Sequence, residues 1–209
     1  MDWFQAFADE FRSLDMRKIS GGIDAAIEKH GIDAVYPRKE LTFKAFELTP
    51  LTTVKAVMIG FEPTVDTASG LFLESTNAPI DGMSPQLQKV ANVLDTDYPQ
   101  GFPAATYSGL TSHWAKQGVL MLNLSLTSRA GQLGRHMAHW TFFTDRILQV
   151  LLESENNIAF IPFGKTPTEK LYSTNIPFAK NHKIFEFKVG MFLEVNKWLE
   201  SVGSRPIEW

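Results

Sequence analysis

Val54-Lys55-Ala56-Val57-Met58-Ile59-Gly60-Phe61-Glu62-Pro63-Thr64-Val65-Asp66 decides the reading of this chain. A β-branched apolar run that stops at Gly-x-acid-Pro predicts a buried parallel strand delivering a carboxylate to a tight loop at its C-terminal end. In open α/β sheets that end is where ligands bind. Taken singly, a carboxylate there serves equally well as a cap for the following helix. The rest of the chain decides between the two roles.

A second buried strand is expected over Gly118-Val119-Leu120-Met121-Leu122-Asn123-Leu124-Ser125. Its single amide interrupts an apolar run, and a buried Asn must find hydrogen bonds, so Asn123 is either tied to backbone or aimed into a site. Ile158 to Gly164 predicts a third strand and Lys183 to Phe187 a short fourth. Between them lie helical patterns. Ser84-Pro85 supplies an N-cap and a first-turn proline ahead of Leu87, Val90 and Leu94. A short helix carries Trp114, Trp140 to Leu152 is helical, and a last helix covers Phe192 to Leu199. At the start, Phe4, Phe7, Phe11 and Leu14 recur at helical spacing and are expected to face inward. Gly21-Gly22 ends or interrupts that helix, and Ile23 to His30 forms another, closed by Gly31. A polar loop is expected over Asn77 to Met83, and Pro/Gly-rich surface chain over Tyr98 to Thr106. Strands alternating with helices imply right-handed crossovers and a parallel sheet covered on both faces.

Composition narrows the function classes. At 209 residues and 44% apolar the chain buries one substantial core, as a single domain over 1–209 with an N-terminal helical segment of about 1–35. No apolar run reaches the roughly 18 residues of a membrane span, and the start lacks a basic signal-peptide region, so a cytoplasmic protein is expected. The chain has no cysteine, which excludes disulfides, thiolate metal sites and cysteine nucleophiles. A net charge of -3 argues against coating nucleic acid through overall charge. The charge is nevertheless uneven. Residues 1 to 100 carry nine Lys/Arg against fifteen Asp/Glu, and residues 101 to 209 carry eleven against eight. Lys116, Arg129, Arg135 and Arg146 fall in a stretch with one acid, Asp145, and form a phosphate-binding surface if the fold gathers them.

Two motifs tempt and fail. Gly164-Lys165-Thr166 resembles the end of a phosphate-binding P-loop, but Ala159 stands where the loop's first glycine belongs. His136 and His139 sit three apart without an acidic or histidine partner at metal-ligand spacing, so no metal or other cofactor is expected.

The ordered set of segments resembles the uracil-DNA glycosylase family from about Tyr36 to Trp209. That family typically reads Val-Lys-Val-Val-Ile-x-Gly-Gln-Asp-Pro-Tyr-His where this chain has Val54 to Val65. Further matches are Phe43-Lys44-Ala45-Phe46-Glu47-Leu48-Thr49-Pro50, Gly70-Leu71, Leu110-Thr111 and Trp114 to Asn123. The series continues through Leu126-Thr127, Trp140, Phe143-Thr144-Asp145, Phe163-Gly164 and Asn196 to the tail Arg205-Pro206-Ile207-Glu208-Trp209. The resemblance implies a three-layer α/β/α sandwich around a four-stranded parallel sheet. It also implies a DNA glycosylase, which swings a base out of the stack and breaks its bond to the sugar. On that pattern Glu62 is the carboxylate facing the sugar cation, and Asn123 is the amide that reads the pyrimidine edge.

The departures fall where the chemistry is. Glu62 replaces an Asp, Phe61 a Gln, Thr64 the Tyr that shields carbon 5 of the base, and Leu73 the Phe that stacks on it. The family's His-Pro-Ser-Pro-Leu loop is missing, which leaves His182 as a displaced candidate for the leaving-base histidine. Gln86 and Lys165 replace phosphate-gripping serines, and Arg135 and His136 complete the expected DNA contacts. The expected substrate is thus uracil or a 5-substituted pyrimidine, in single-stranded DNA or as an extrahelical base, with the protein a monomer. The alternative is an inactive homologue that binds DNA, a modified base or a protein in a replication or repair assembly.

Overall fold

The computed structural model describes residues 2–64, 68–74, 84–101 and 110–209. The polar loop expected over 77–83, and most of the segment after Tyr98, lie outside these residues.

The chain runs α1 (Trp3–Ala6), α2 (Ala8–Arg12), α3 (Leu14–His30), β1 (Val35–Tyr36), α4 (Lys44–Leu48) and β2 (Ala56–Gly60). It continues with α5 (Pro85–Asp97), α6 (Leu110–Lys116), β3 (Val119–Asn123), β4 (Ser128–Arg129), α7 (Met137–Leu152) and β5 (Ile158–Pro162). It closes with α8 (Lys165–Tyr172), β6 (His182–Ile184) and α9 (Met191–Ser201). Four strands form one parallel sheet in the order β3-β2-β5-β6. All five residues of β2, of β3 and of β5 are buried. Successive strand side chains point to opposite faces, so burial without alternation means that helices cover both faces, the three-layer α/β/α arrangement.

Aromatic rings fill much of the packing. Phe7, Phe46 and Phe143 meet at 4.9 to 6.3 Å between centroids, and Trp114, Phe192 and Trp209 form a second cluster. The C-terminal tail is fixed rather than loose. Asn196 both donates to Ile207 O and accepts from Ile207 N, Gln117 does the same with Glu208, and Lys55 Nζ donates to Arg205 O and Pro206 O. These polar pairs explain why Gln117, Asn196 and the tail recur together in the sequence pattern. Among the described residues no helix is long and apolar enough to cross a membrane.

The N-terminal segment differs from expectation. The first helix is cut at Phe7 and again at Ser13, whose side chain accepts from Met16 N and starts α3. The cuts rotate the phase, so Trp3 and Phe7 are buried while Phe4 and Leu14 face solvent. Helix α3 then passes straight through Gly21-Gly22. Each glycine costs about 1 kcal/mol of helix propensity, which a 17-residue helix capped at its start absorbs. The fourth strand begins one residue earlier than expected and is shorter, His182–Ile184. The small antiparallel β1-β4 pair has too few residues to leave a periodic signal.

Asp97 shows how helices are fixed to one another. An acid at a helix C-terminus opposes the dipole, yet Asp97 ends α5 and is buried. Its carboxylate accepts from Gly190 N at 2.5 Å and Phe192 N at 3.2 Å, capping α9, whose own N-cap residue is a glycine. Asp97→Ala leaves those two N–H groups without their acceptor and is expected to cost about 1 to 3 kcal/mol. A lowered urea midpoint at unchanged slope checks this.

Candidate functional site

The C-terminal ends of β3, β2 and β5 form the site. Gly60 pairs with Asn123 across β2 and β3, so the last residues of the two strands lie side by side. Beyond the strands the pairing persists as Leu124 N to Gly60 O and Ser125 N to Phe61 O, both 3.0 Å. Ser128 Oγ donates to Pro63 O at 2.6 Å. The Phe61-Glu62-Pro63 loop is therefore held along its length by the segment after β3.

Gly60 has to be glycine. A Cβ there would overlap the Phe72 ring and lie 2.7 Å from Asn123 Oδ1. Asn123 is buried, and its carbonyl oxygen has no hydrogen-bond partner among the described residues. An acceptor left unpaired in a core costs about 1 to 3 kcal/mol, so it marks either a defect or a place kept for a donor that arrives from outside. The Phe72 ring beside it meets Phe163 at 5.1 Å, and Phe163 meets Phe187 at 4.6 Å.

The Glu62 carboxylate accepts the Gly134 N–H with both oxygens, at 3.0 and 3.1 Å. Partial burial pushes its pKa above the ordinary carboxylate value, against the pull of the Gly134 N–H. Glu62 lines a cavity of about 470 Å³ with Tyr36, Thr64, Ser128 and Arg129. The structure thus brings Glu62 and Asn123 to one end of the sheet. The carboxylate turns toward Gly134 and the cavity, while the amide sits against Gly60 and Phe72.

The other sequence candidates divide. Thr64 is exposed at the Glu62 cavity, and a Cβ placed on Gly134 would meet the tip of the Phe61 ring at 3.5 Å. Gln86 and Lys165 come together at a second cavity of about 610 Å³, with Lys89, Phe163 and Phe187, beyond the end of β5. Arg135 is exposed near Arg129 and His139 in a cavity between α3 and α7. Arg146, by contrast, pairs with Glu10 at 3.1 Å and does not join that cluster.

Three candidates are corrected. His182 opens β6 opposite Ile158, the first residue of β5, and so lies at the far end of the sheet from Glu62. Four residues of strand separate the two ends, roughly 13 Å. His182 is also buried, with Nε2 against Leu152 O at 3.2 Å, and burial lowers its pKa, so it is a neutral core histidine. His136 is buried too. Trp140 Nε1 donates to Thr127 Oγ1, which lies 2.9 Å from His136 Nδ1, and burial followed by His139, Arg129 and Arg135 lowers the His136 pKa. A neutral, enclosed ring supports the start of α7 rather than a phosphate. Leu73 is a core residue in the left-handed region at φ 68°, and its neighbour Phe72 is the ring beside Asn123. Sequence reading also missed Gly134, whose only signal was its place in a Gly131-x-x-Gly134 turn.

No protein-family model matches the chain. A uracil-DNA glycosylase of Alkaliphilus oremlandii is 31% identical over 221 residues, covering 100% of this chain and 95% of its own length. The Azotobacter vinelandii enzyme of the same name is 31% identical over 219 residues, covering 99% of this chain and 92% of itself. In three dimensions the chain is similar to the mimivirus uracil-DNA glycosylase crystal structure, with a TM-score of 0.82 at 19% identity over 99% of this chain and 85% of that one. With full-length similarity, the shared fold and a carboxylate and an amide at the ends of adjacent strands, the chain belongs to the uracil-DNA glycosylase family.

Proposed function

We propose that this chain is a DNA glycosylase that hydrolyses the bond between uracil and deoxyribose, with Glu62 serving the sugar and Asn123 the base. The supporting observation is the buried carbonyl of Asn123, which has no partner among the described residues, at the strand end next to the Glu62 loop. A pyrimidine with a protonated N3 supplies the donor that this oxygen lacks, and the amide NH₂ donates to the neighbouring base carbonyl. As the bond breaks, positive charge grows on the sugar and negative charge on the base. An ionised Glu62 stabilises the first and orients the attacking water, and the Asn123 donor stabilises the second.

Glu62 keeps its orientation through Gly134 rather than through a shorter side chain, which reconciles the extra methylene with a fixed carboxylate. The Asn123 environment is closed by Phe72, so a base that reaches the amide displaces that ring. Gln86, Lys165 and Arg135 contribute phosphate contacts, and DNA is bound as a single strand or through an extrahelical base by a monomer.

The test is a panel of single- and double-stranded oligonucleotides carrying uracil, thymine or other 5-substituted pyrimidines, scored for abasic sites and for binding. Abasic sites at uracil are expected. Binding without abasic sites on any strand would establish an inactive base-binding module, the reading that the closed surroundings of Asn123 favour.

Thr64 sets an expectation within the same panel. Its short side chain faces the Glu62 cavity, where a tyrosine ring would fill space. Thr64→Tyr is expected to raise the uracil-to-thymine ratio roughly 10- to 200-fold, the range one methyl group commands in an apolar pocket. An unchanged ratio would show that position 64 is no gate.

A further inference from the structure

The cavity of about 610 Å³ beyond the end of β5 has aromatic walls: Phe163, Phe187 and Tyr172 line it, beside Gln86, Lys89 and Lys165. Phe163 and Phe187 are half-buried and Tyr172 is 55% exposed. Aromatic surface left facing an open cavity gains from being covered. The chemistry at Glu62 and Asn123 makes no use of these rings.

The rings nevertheless connect the cavity to the amide that reads the base. Phe72, beside Asn123 at Gly60, meets Phe163 edge-on at 5.1 Å. Phe163 in turn meets Phe187 at 4.6 Å, with 38° between the ring planes. Both are separations at which aromatic rings attract one another. The chain between β6 and α9 is short. Phe185 is buried against Trp198, and Phe187 is left on the cavity wall. Charge on the lining is balanced, since Glu169 and Glu186 accompany Lys89 and Lys165, and Lys165 lies 3.7 Å from Glu169. Such a lining does not draw in a run of phosphates, whereas an aromatic wall accepts a flat, uncharged ring.

We propose that this cavity is a stacking subsite for the nucleobase next to the target base on a single strand, with Phe187 as its platform. The proposal rests on the glycosylase reading above, and it adds a base contact to the phosphate contacts of Gln86 and Lys165. A target base drawn toward Asn123 loses its neighbour from the stack. On a single strand that neighbour has no pairing partner and is free to turn onto an aromatic face. Every base has such a face, so the subsite tolerates any neighbour. In a matched duplex the neighbour stays paired, and the subsite is left unused.

The experiment measures binding of single strands in which the target is 2′-fluoro-2′-deoxyuridine, whose bond to the base resists hydrolysis. The nucleotide on either side of it is natural or an abasic spacer. Removing the neighbouring base on one side is expected to weaken binding by the parent protein about 5- to 100-fold, the range that one stacked base commands. Phe187→Leu keeps apolar bulk without the aromatic face. It should weaken binding of the natural strand by a similar factor and make the spacer harmless, while Phe187→Tyr should behave as the parent does. That non-additivity marks direct contact, because a merely structural loss weakens both strands alike. Equal weakening of natural and spacer strands by Phe187→Leu would overturn the subsite. So would a spacer without effect on either side in the parent, or an equal loss on matched duplex. Failure to release uracil from an ordinary strand would overturn the glycosylase reading instead, and the binding comparison, which needs no cleavage, would still decide the subsite. A parent that binds none of the strands counts against it.

Discussion

Glu62→Gln is expected to lower base excision about 10²- to 10⁴-fold with little change in stability. The amide oxygen continues to accept the Gly134 N–H, so the loop stays in place, and what is removed is the negative charge. A charge that matters only as the sugar becomes cationic appears in the chemical step. The loss should therefore fall on the single-turnover rate, with DNA affinity nearly unchanged.

The pH profile supplies an independent check. Partial burial holds the Glu62 pKa above the ordinary carboxylate value, so the side chain is protonated at a pH where exposed carboxylates are still ionised. Excision needs the ionised form, and its acid limb should consequently be displaced upward from the ordinary carboxylate value and vanish in Glu62→Gln. An acid limb that persists in the variant would show that another group carries it.

The second large effect is expected at Asn123. Asn123→Ala removes the groups that meet the base edge and should lower excision at uracil about 10²- to 10³-fold, as losing one oriented hydrogen-bonding group does elsewhere. Stability should move the other way or not at all. The Asn123 carbonyl is buried without a partner among the described residues, so its deletion breaks no bond there and relieves a desolvated acceptor. Loss of activity at preserved or raised melting temperature is the signature of a residue kept for function at a cost to the fold. A clear fall in melting temperature would mean that Asn123 serves packing.

Much of the fold was legible because its signals are local and periodic. The runs at Val54, Gly118 and Ile158 are long enough, and apolar on both faces, so they announce buried parallel strands and place Gly60 and Asn123 at strand ends. Ser84-Pro85 announced α5 by cap chemistry that acts within four residues. Phe4 and Leu14 were read as inward because the pattern assumes one continuous helix, whereas the chain breaks at Phe7 and restarts at Ser13. The two-residue strands β1 and β4 are below the length at which any pattern exists.

The sequence by itself determined the parallel α/β class, the carboxylate at 62, the amide at 123 and the family, because these depend on residue identity at fixed spacing. Only the tertiary structure decided which groups act together. It placed His182 at the wrong end of the sheet for chemistry, enclosed His136 behind Thr127, and set Phe72 rather than Leu73 beside Asn123. It also brought Gly134 to Glu62 across 72 positions of sequence. Contacts of that separation depend on how the layers pack, and a backbone N–H carries no side-chain signature by which a sequence could reveal it.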